Sequence, residues 1–419
     1  MISMYSIVGS DLRRLHEASW LLISYNLGYS IALPICGKLA QIYGRKHPLL
    51  ISYALFTVGN LWVGLAGSLW VAVAGRLVTG LGGAGLIGLV SVIITETPEQ
   101  ERKEGLEAVR QIDFSGIFAF IIAVSTFILF IDLGGDRLPW THPFAISLAV
   151  ICAFSAIAFV IIERFWAANP LTPLSMLSLK AGGGFCIIQV LVFLGRFAKW
   201  RNSLNLPQIV TNLVPYFIYT QGISNTMAAL CMVPSSFGAA VGGLASGFTF
   251  TRFPRYKLPT LILTTISIAA YFAIALRWTH NNNGISDVQR HPAELSYIFI
   301  VGMAFGWTLS AQFIGMSRFT PRRFSAEGIT AYYLAQQVGS ILGTNVAAKL
   351  LRNILRGKLK GALPSEYVGD PGWDKDEIVE EIIKDSRFYQ KLPTSVGVVV
   401  RKEYLSSFRY IPQSVLNWR

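Results

Sequence analysis

The sequence predicts an all-α fold, a polytopic bundle of transmembrane helices. Of its 419 residues, 53% are hydrophobic and only 14% are charged, whereas soluble proteins have about 25% charged residues. The mean hydropathy is +0.49. Apolar runs of about 20 residues, the length that crosses a bilayer, recur along the chain. The short loops between them alternate between basic and nearly uncharged, which is typical of helices threading a membrane.

The apolar runs give about ten membrane spans. The polar lead before residue 18 has no sustained apolar core, so it does not resemble a cleavable signal peptide. One span is predicted to be broken, with Pro215 in its second part. After residue 352 no run is long enough to span, although residues 374–386 are expected to form a helix. The predicted spans are residues 18–36, 49–67, 69–94, 114–134, 144–162, 185–197 with 210–219, 227–250, 258–276, 295–315 and a weaker 329–351.

A short polar segment, residues 37–46, separates the first two spans and is predicted to be the turn of a tight helical hairpin. It carries Arg45 and Lys46 and no acid. Loops with an excess of Lys and Arg stay in the cytoplasm. Five alternate loops share this basic excess, which places the turn in the cytosol and, by parity, the charged C-terminal tail on the opposite side. The basic residues of these loops are Arg45, Lys46, Arg102, Lys103, Arg110, Arg164, Lys180, Arg252, Arg255, Lys257, Arg318, Arg322 and Arg323.

The spans and loops divide the chain into four segments. Residues 1–94 hold the N-terminal transmembrane helices, part of an N-terminal half. Residues 95–113 form a charged cytoplasmic linker. Residues 114–351 hold the remaining transmembrane helices, and residues 352–419 form a charged C-terminal tail.

The net charge of +13 does not indicate nucleic-acid binding, because the basic residues are spread over loops and form no continuous stripe. The four cysteines lack metal-ligand spacing and are expected to be small packing residues. No paired carboxylates or nucleophile with a base lie inside a span, so an enzyme is disfavoured. No cofactor and no metal are expected.

Residues 80–85 match the dinucleotide pattern G-x-G-x-x-G, but that pattern needs a preceding strand and a soluble helix, and here one apolar run continues through it. Helix packing explains the glycines better. Gly80, Ala84 and Gly88 fall four apart on one helix face, and small residues at that spacing let two spans approach closely. The same spacing occurs in two further rows, Ala239 with Gly243 and Gly247, and Gly238 with Gly242.

Arg76 lies about seven residues into the third span, among Val, Ala and Gly. A charge there costs roughly 3 kcal/mol or more, so it must face protein or water. Two interpretations are open. The arginine either extends to the interface or bonds a backbone carbonyl, or it faces a cavity and takes part in gating or proton coupling.

Gly37-Lys-Leu-Ala-Gln-Ile-Tyr-Gly-Arg-Lys46 resembles the signature loop of the major facilitator superfamily, between the second and third helices of those transporters. The segment from Arg76 to Gly83 resembles the family's fourth-helix motif, whose Arg is tied to proton coupling. Residues 112–116 and 133–140 resemble the fungal fourteen-span branch of drug:proton antiporters, which includes multidrug and toxin exporters, siderophore transporters and vacuolar basic-amino-acid transporters.

The chain departs from that pattern in several places. Gln41 stands where the family usually has Asp, which is expected to weaken the cytoplasmic gate. Relative to the fourteen-span branch, a first helix before Trp20, two spans between Arg102 and Ile112 and a last span after the tail are lacking. The chain is therefore expected to be an incomplete bundle, about ten of fourteen spans, from a truncated or mis-spliced gene product.

The resemblance implies a secondary active transporter that moves a small organic solute, such as a drug, toxin or basic amino acid, by alternating access and with proton coupling. The alternative is a truncated fragment that does not transport. The expected partners are a small-molecule solute, protons and the lipid bilayer of the plasma membrane or vacuole. The expected gating residues are Gly37, Gln41, Gly44, Arg45, Lys46, Arg76 and Gly80, and the expected cavity residues are Asn26, Gln336 and Gln337.

Overall fold

The computed structural model describes residues 20–95, 113–134, 139–166, 183–194, 227, 230–252, 257–279, 295–320, 325–362, 375–384, 397, 399–400 and 402–403. The regular elements in these ranges are helices, which confirms the predicted all-α class. In chain order they are α1 Trp20–Tyr43, α2 Lys46–Gly64, α3 Leu69–Thr95, α4 Phe114–Leu133, α5 Pro143–Ile161, which continues into a π-helical turn Ile162–Trp166, α6 Gly183–Leu194, α7 Val233–Arg252, α8 Lys257–Thr279, α9 Leu295–Phe319, α10 Ser325–Ala362 and α11 Lys375–Lys384.

Within the described residues, 5 helices are long and apolar enough to cross a membrane. They are α1, α3, α4, α5 and α9. The remaining long helices coincide with predicted spans but carry more polar residues. The sequence-based count of about ten spans therefore stays a prediction.

The prediction that residues 37–46 form a turn is wrong for most of that stretch. Helix α1 runs through it to Tyr43, and α2 begins at Lys46, so the turn consists of Gly44 and Arg45. Gly44 has a φ of 74°, a left-handed conformation that ends a helix and that glycine adopts without a steric penalty. The six residues before Gly44 include no helix breaker, so the helix continues until the glycine.

Helix α10 is longer than the predicted span at residues 329–351, because it continues to Ala362. The charged residues of the added turns ended the predicted span, but Leu, Arg and Lys are good helix formers. Helix α11 confirms the helix predicted at residues 374–386. Helix α6 covers only the first part of the predicted broken span. Its second part, residues 210–219, and residues 96–112 of the charged linker lie outside the described residues.

One compact unit consists of Val8–Leu194 and Gly315–Asn345. In it α3 lies against both α1 and α2. A Cβ added at Gly80 would collide with the Tyr25 carbonyl oxygen, and one at Gly28 with the Leu77 carbonyl oxygen, so α1 and α3 cross with their backbones in contact. A Cβ added at Gly82 would collide with the backbone of α2 at Phe56.

The predicted packing face of α3 is confirmed in this unit. Gly80 touches α1, Ala84 is fully buried against it, and the Cβ position of Gly88 lies 3.2 Å from the side chain of Leu33. Small residues thus allow close helix approach, as they do in membrane proteins generally. Unlike this face of α3, much of the surface of α5 is not packed against other helices. Many of its apolar side chains are exposed, as lipid-facing residues are.

The other compact unit consists of Met1–Ile7, Gly195–Ile314 and Val346–Arg419. Here α7 and α9 also cross with backbone contact. The predicted row of Gly238 and Gly242 is confirmed, since a Cβ at either would collide with a carbonyl oxygen of α9. The row ending at Gly247 is only partly confirmed, because nothing lies within 4 Å of a Cβ at Gly247. Helix α8 is tied to α9 by a hydrogen bond of 3.2 Å from Trp307 Nε1 to Thr260 Oγ1.

Candidate functional site

Helices α1 and α10 meet in antiparallel orientation within one unit, over residues 23–38 of α1 and 327–341 of α10. Residues later in α1 contact residues earlier in α10, as expected for two antiparallel helices. Contacts of this kind pair Lys38 with Glu327, Gly37 with Thr330 and Asn26 with Gln337. Ile23 and Ile341 belong to one buried cluster further along the same line. We call this contact line the α1–α10 seam.

One end of the seam includes Lys38 of the segment 37–46, and we call it the signature end. It holds buried charges. Lys38 Nζ lies 3.9 Å from Glu327 Oε1, and the two side chains are 11% and 7% exposed. Glu163, in the π-helical turn after α5, is also buried and attracts Lys38 electrostatically. One residue before Lys38, a Cβ at Gly37 would meet the Thr330 methyl group at 2.5 Å, so only glycine fits there without a shift.

The middle of the seam is polar and uncharged. Gln337 Nε2 donates a hydrogen bond of 2.9 Å to Asn26 Oδ1. The two residues belong to the set expected to line a cavity, and the structure brings them together. Gln336, the third member of that set, is half-buried on the same helix.

Tyrosines surround this part of the seam. The rings of Tyr25 and Tyr29, one turn apart on α1, have centroids 6.1 Å apart. Tyr333 of α10 packs against the cluster that contains Tyr29 and Ala84. Its hydroxyl group forms a hydrogen bond of 2.8 Å with Ser91 of α3. The three helices α1, α3 and α10 thus meet around aromatic rings with polar tips.

Arg76 is buried on α3, with 7% of its surface exposed. Its Cζ atom lies 4.7 Å from the centroid of the Tyr25 ring, a cation–π contact. Gly80, one turn further along α3, lies at the close crossing with α1. The structure therefore places Arg76 and Gly80 beside Tyr25.

The remaining residues of the signature occupy the end of the α1–α2 hairpin. Gln41 lies in the last turns of α1, and Gly44 forms the turn. Arg45 precedes α2 and is half-buried, whereas Lys46 begins α2 and is exposed. Residues 37–46 therefore all lie at the C-terminal end of α1, in the turn that follows it or at the start of α2, close in sequence to Lys38.

At the opposite end of the seam, Asn345 Nδ2 donates a hydrogen bond of 2.7 Å to Asp132 Oδ1, which links α10 to α4.

No group of three or more His, Cys, Asp or Glu side chains within the described ranges is arranged to hold a metal ion.

Sequence reasoning missed Lys38, Glu327, Glu163 and the tyrosine cluster. Lys38 was part of the signature, but its partner is distant in the chain and sequence spacing could not connect them. The tyrosines did carry a signal, because Tyr25 and Tyr29 fall four apart in the first span, and such residues share one helix face.

A sequence profile described as Major Facilitator Superfamily matches residues 1–344. The chain belongs to this superfamily. It is therefore an integral membrane protein of a transporter family, which points to transport and away from an enzyme. The resemblance seen in residues 37–46 and 76–83 is confirmed.

Several curated proteins are similar to this superfamily member at low identity. The vacuolar membrane amino acid uptake transporter fnx2 of Schizosaccharomyces pombe is 23% identical over 97% of this chain and 77% of that protein. Multidrug resistance protein 3 of Bacillus subtilis is 23% identical over 86% of this chain and 80% of its own length. Vacuolar basic amino acid transporter 2 of Saccharomyces cerevisiae is 20% identical over 84% of this chain and 86% of its own length.

One solved structure similar to the chain is a proton-coupled symporter. A D-xylose-proton symporter, 16% identical, covers 94% of this chain and 93% of its own with a TM-score of 0.47.

Proposed function

We propose that this protein is a secondary active transporter that moves a small organic solute by alternating access, driven by protons. The observation that carries the proposal is the Asn26–Gln337 hydrogen bond, which joins two helices of a superfamily member well inside the α1–α10 seam. Amide groups carry both donors and acceptors, so they can hydrogen-bond a polar solute as well as each other. Carriers place their solute site near the middle of the bilayer.

In this proposal the signature end of the seam is a gate. Gly37, Gln41, Gly44, Arg45 and Lys46 shape that end of the α1–α2 hairpin. The Lys38–Glu327 ion pair, at 3.9 Å, holds it to α10. Opening requires the pair to separate, and the close contact of Gly37 with Thr330 must open with it. Arg76 and Gly80 act deeper in the bundle, Arg76 as a cavity residue linked to coupling and Gly80 as the crossing point of α1 and α3.

The solute in this proposal is a drug, a toxin or a basic amino acid, and the membrane is the vacuolar or the plasma membrane. Support comes from relatives named as vacuolar amino acid transporters and as multidrug resistance proteins. The proposed segments remain residues 1–94 and 114–351 in the membrane, residues 95–113 as a cytoplasmic linker and residues 352–419 as a tail.

The test is uptake by the purified full chain in proteoliposomes with an imposed pH gradient. Radiolabelled L-lysine, L-arginine and the cationic dye ethidium are the probes. Uptake that needs the gradient and is abolished by a protonophore supports the proposal. Absence of uptake for every probe in either orientation, from protein shown to be monodisperse, would support a fragment that does not transport.

A further inference from the structure

The burial of Arg76 leaves its charge poorly compensated by the part of the chain that the structure describes. The guanidinium group lies two turns inside α3, with 7% of the residue exposed. It cannot deprotonate readily, so it is a permanent cation in a mostly apolar surrounding. Buried charges in folded proteins are normally paired with an opposite charge and fully hydrogen-bonded.

The partner that the described part of the chain supplies is an aromatic ring. Arg76 Cζ lies over Tyr25 at 4.7 Å, and no described carboxylate forms an ion pair with it. A ring face attracts a cation but accepts none of the in-plane N–H hydrogen bonds of a guanidinium. The described acids of this unit lie at helix ends, at Asp113, Asp132, Glu163 and Glu327.

Apart from Arg76, the described groups close to Tyr25 are neutral. Tyr25 neighbours Asn26, which is bonded to Gln337, and Tyr29 packs one turn below. Amides and hydroxyl groups can hydrogen-bond a polar solute of either charge. Because they are neutral, they do not form an ion pair with the arginine. The negative charge that suits this position is therefore one that arrives with a ligand.

We infer that Arg76 is the counter-ion for a carboxylate on the transported solute, an inference that rests on the proposed transport function. The planar guanidinium binds a carboxylate through two parallel N–H···O bonds, a geometry that neither lysine nor a neutral amide reproduces. The ring face of Tyr25 attracts the guanidinium group but accepts none of its in-plane N–H bonds. The solute class is a small molecule with a free carboxylate, such as an amino acid, and not a cation that lacks one.

The experiment compares matched solutes with and without the carboxylate, using the reconstituted full chain. The probes are L-lysine against L-lysinamide, L-leucine against L-leucinamide, and ethidium. The expected result is uptake of an acid at least about tenfold above its amide, since a charged hydrogen-bonded pair is lost with the amide. In Arg76→Gln this preference disappears, and in Arg76→Lys part of it remains. Arg318→Gln, which changes an exposed arginine in the last turn of α9, keeps the preference.

The acid-to-amide ratio separates recognition from a structural role, because a variant that is merely less stable loses uptake of both solutes alike. If Arg76→Gln does not yield folded protein, inhibition of wild-type uptake by each acid and its amide decides the question. Equal uptake of acid and amide, or uptake of ethidium alone, overturns the inference and leaves the transport proposal standing. Absence of all uptake refutes the transport proposal itself.

Discussion

Gln337 Nε2 donates a hydrogen bond of 2.9 Å to Asn26 Oδ1, joining α10 to α1 between a charged contact at one end of the seam and an aliphatic contact at the other. The bond joins two amides in a region lined largely by tyrosines and aliphatic side chains. An interaction of this kind adds about 0.6 kcal/mol to a membrane protein. The proposed solute pathway would give the two amides a role beyond this small contribution to stability.

Replacing either amide by leucine is expected to reduce transport far more than stability. Asn26→Leu and Gln337→Leu each remove a polar group from the seam, and the thermal midpoint is expected to move by only a few degrees, the effect of about 1 kcal/mol. Proteoliposome uptake and a detergent melting curve measure the two effects. Asn60→Leu is the control, because the Asn60 amide bonds to the Phe56 carbonyl one turn back on α2. Equal losses of uptake in all three variants would contradict a specific role.

The Lys38–Glu327 pair is expected to be strongly coupled because both partners are buried. Lys38→Glu or Glu327→Lys alone places like charges together and is expected to destabilise the chain by about 3 kcal/mol. The double swap Lys38→Glu with Glu327→Lys should recover part of that loss and of the uptake, limited by repulsion between the new glutamate and Glu163. A double-mutant cycle on melting temperatures measures the coupling. Additive effects of the two single changes would show that the pair does not act as a unit.

The prediction of individual helices from the sequence depended on what ends each helix. Helix α3 was predicted almost to the residue, as 69–94, because its apolar run is bounded by Ser68 and the charged linker. The predicted end of helix α1 is too early, because the polar residues 37–46 predict a turn, whereas the helix breaks only at Gly44. The predicted end of helix α10 is also too early, because charged residues end an apolar run without ending a helix.

Residues of the candidate site could be predicted only where a single polar or charged side chain stands out inside an apolar run. Arg76 stood out as a charge inside an apolar run, and Asn26 and Gln337 as amides inside predicted spans. The Lys38–Glu327 contact was not predictable, because it depends on the register of two helices that are far apart in the chain. Likewise, the cation–π contact of Arg76 requires that α1 and α3 cross at Gly28 and Gly80, which composition does not determine.

Two glycines that the sequence treats alike are expected to respond in opposite ways. Gly80→Ala adds a methyl group where the Tyr25 carbonyl oxygen already lies, so the helices must separate, at a cost of about 1–3 kcal/mol. Gly247→Ala adds the same group to a helix position with nothing within 4 Å, and better helix propensity should make it neutral or slightly stabilising. Melting temperatures of the two variants in one detergent provide the comparison. A similar drop for both would refute backbone contact at Gly80.

Helix α11 is expected to be held to the end of α10 by apolar burial more than by ion pairs. Arg356 pairs with Glu380, with Nε 2.7 Å from Oε1, and Lys360 with Asp376 at 3.1 Å, which fixes the two helices antiparallel. These side chains are 40% exposed or more, so removing either pair should cost less than about 1 kcal/mol. Leu359 is fully buried on α10, and Leu359→Ala should cost about 2–5 kcal/mol of local stability.

Limited proteolysis with a protease that cleaves after acidic residues measures this difference, because α11 contains Glu377, Glu380 and Glu381. Leu359→Ala is expected to expose these sites at protease concentrations that leave Arg356→Gln intact. Arg356→Gln removes the stronger ion pair without a cavity and serves as the matched control. Faster cleavage in Arg356→Gln than in Leu359→Ala would mean that charge, and not the buried leucine, holds the tail helix in place.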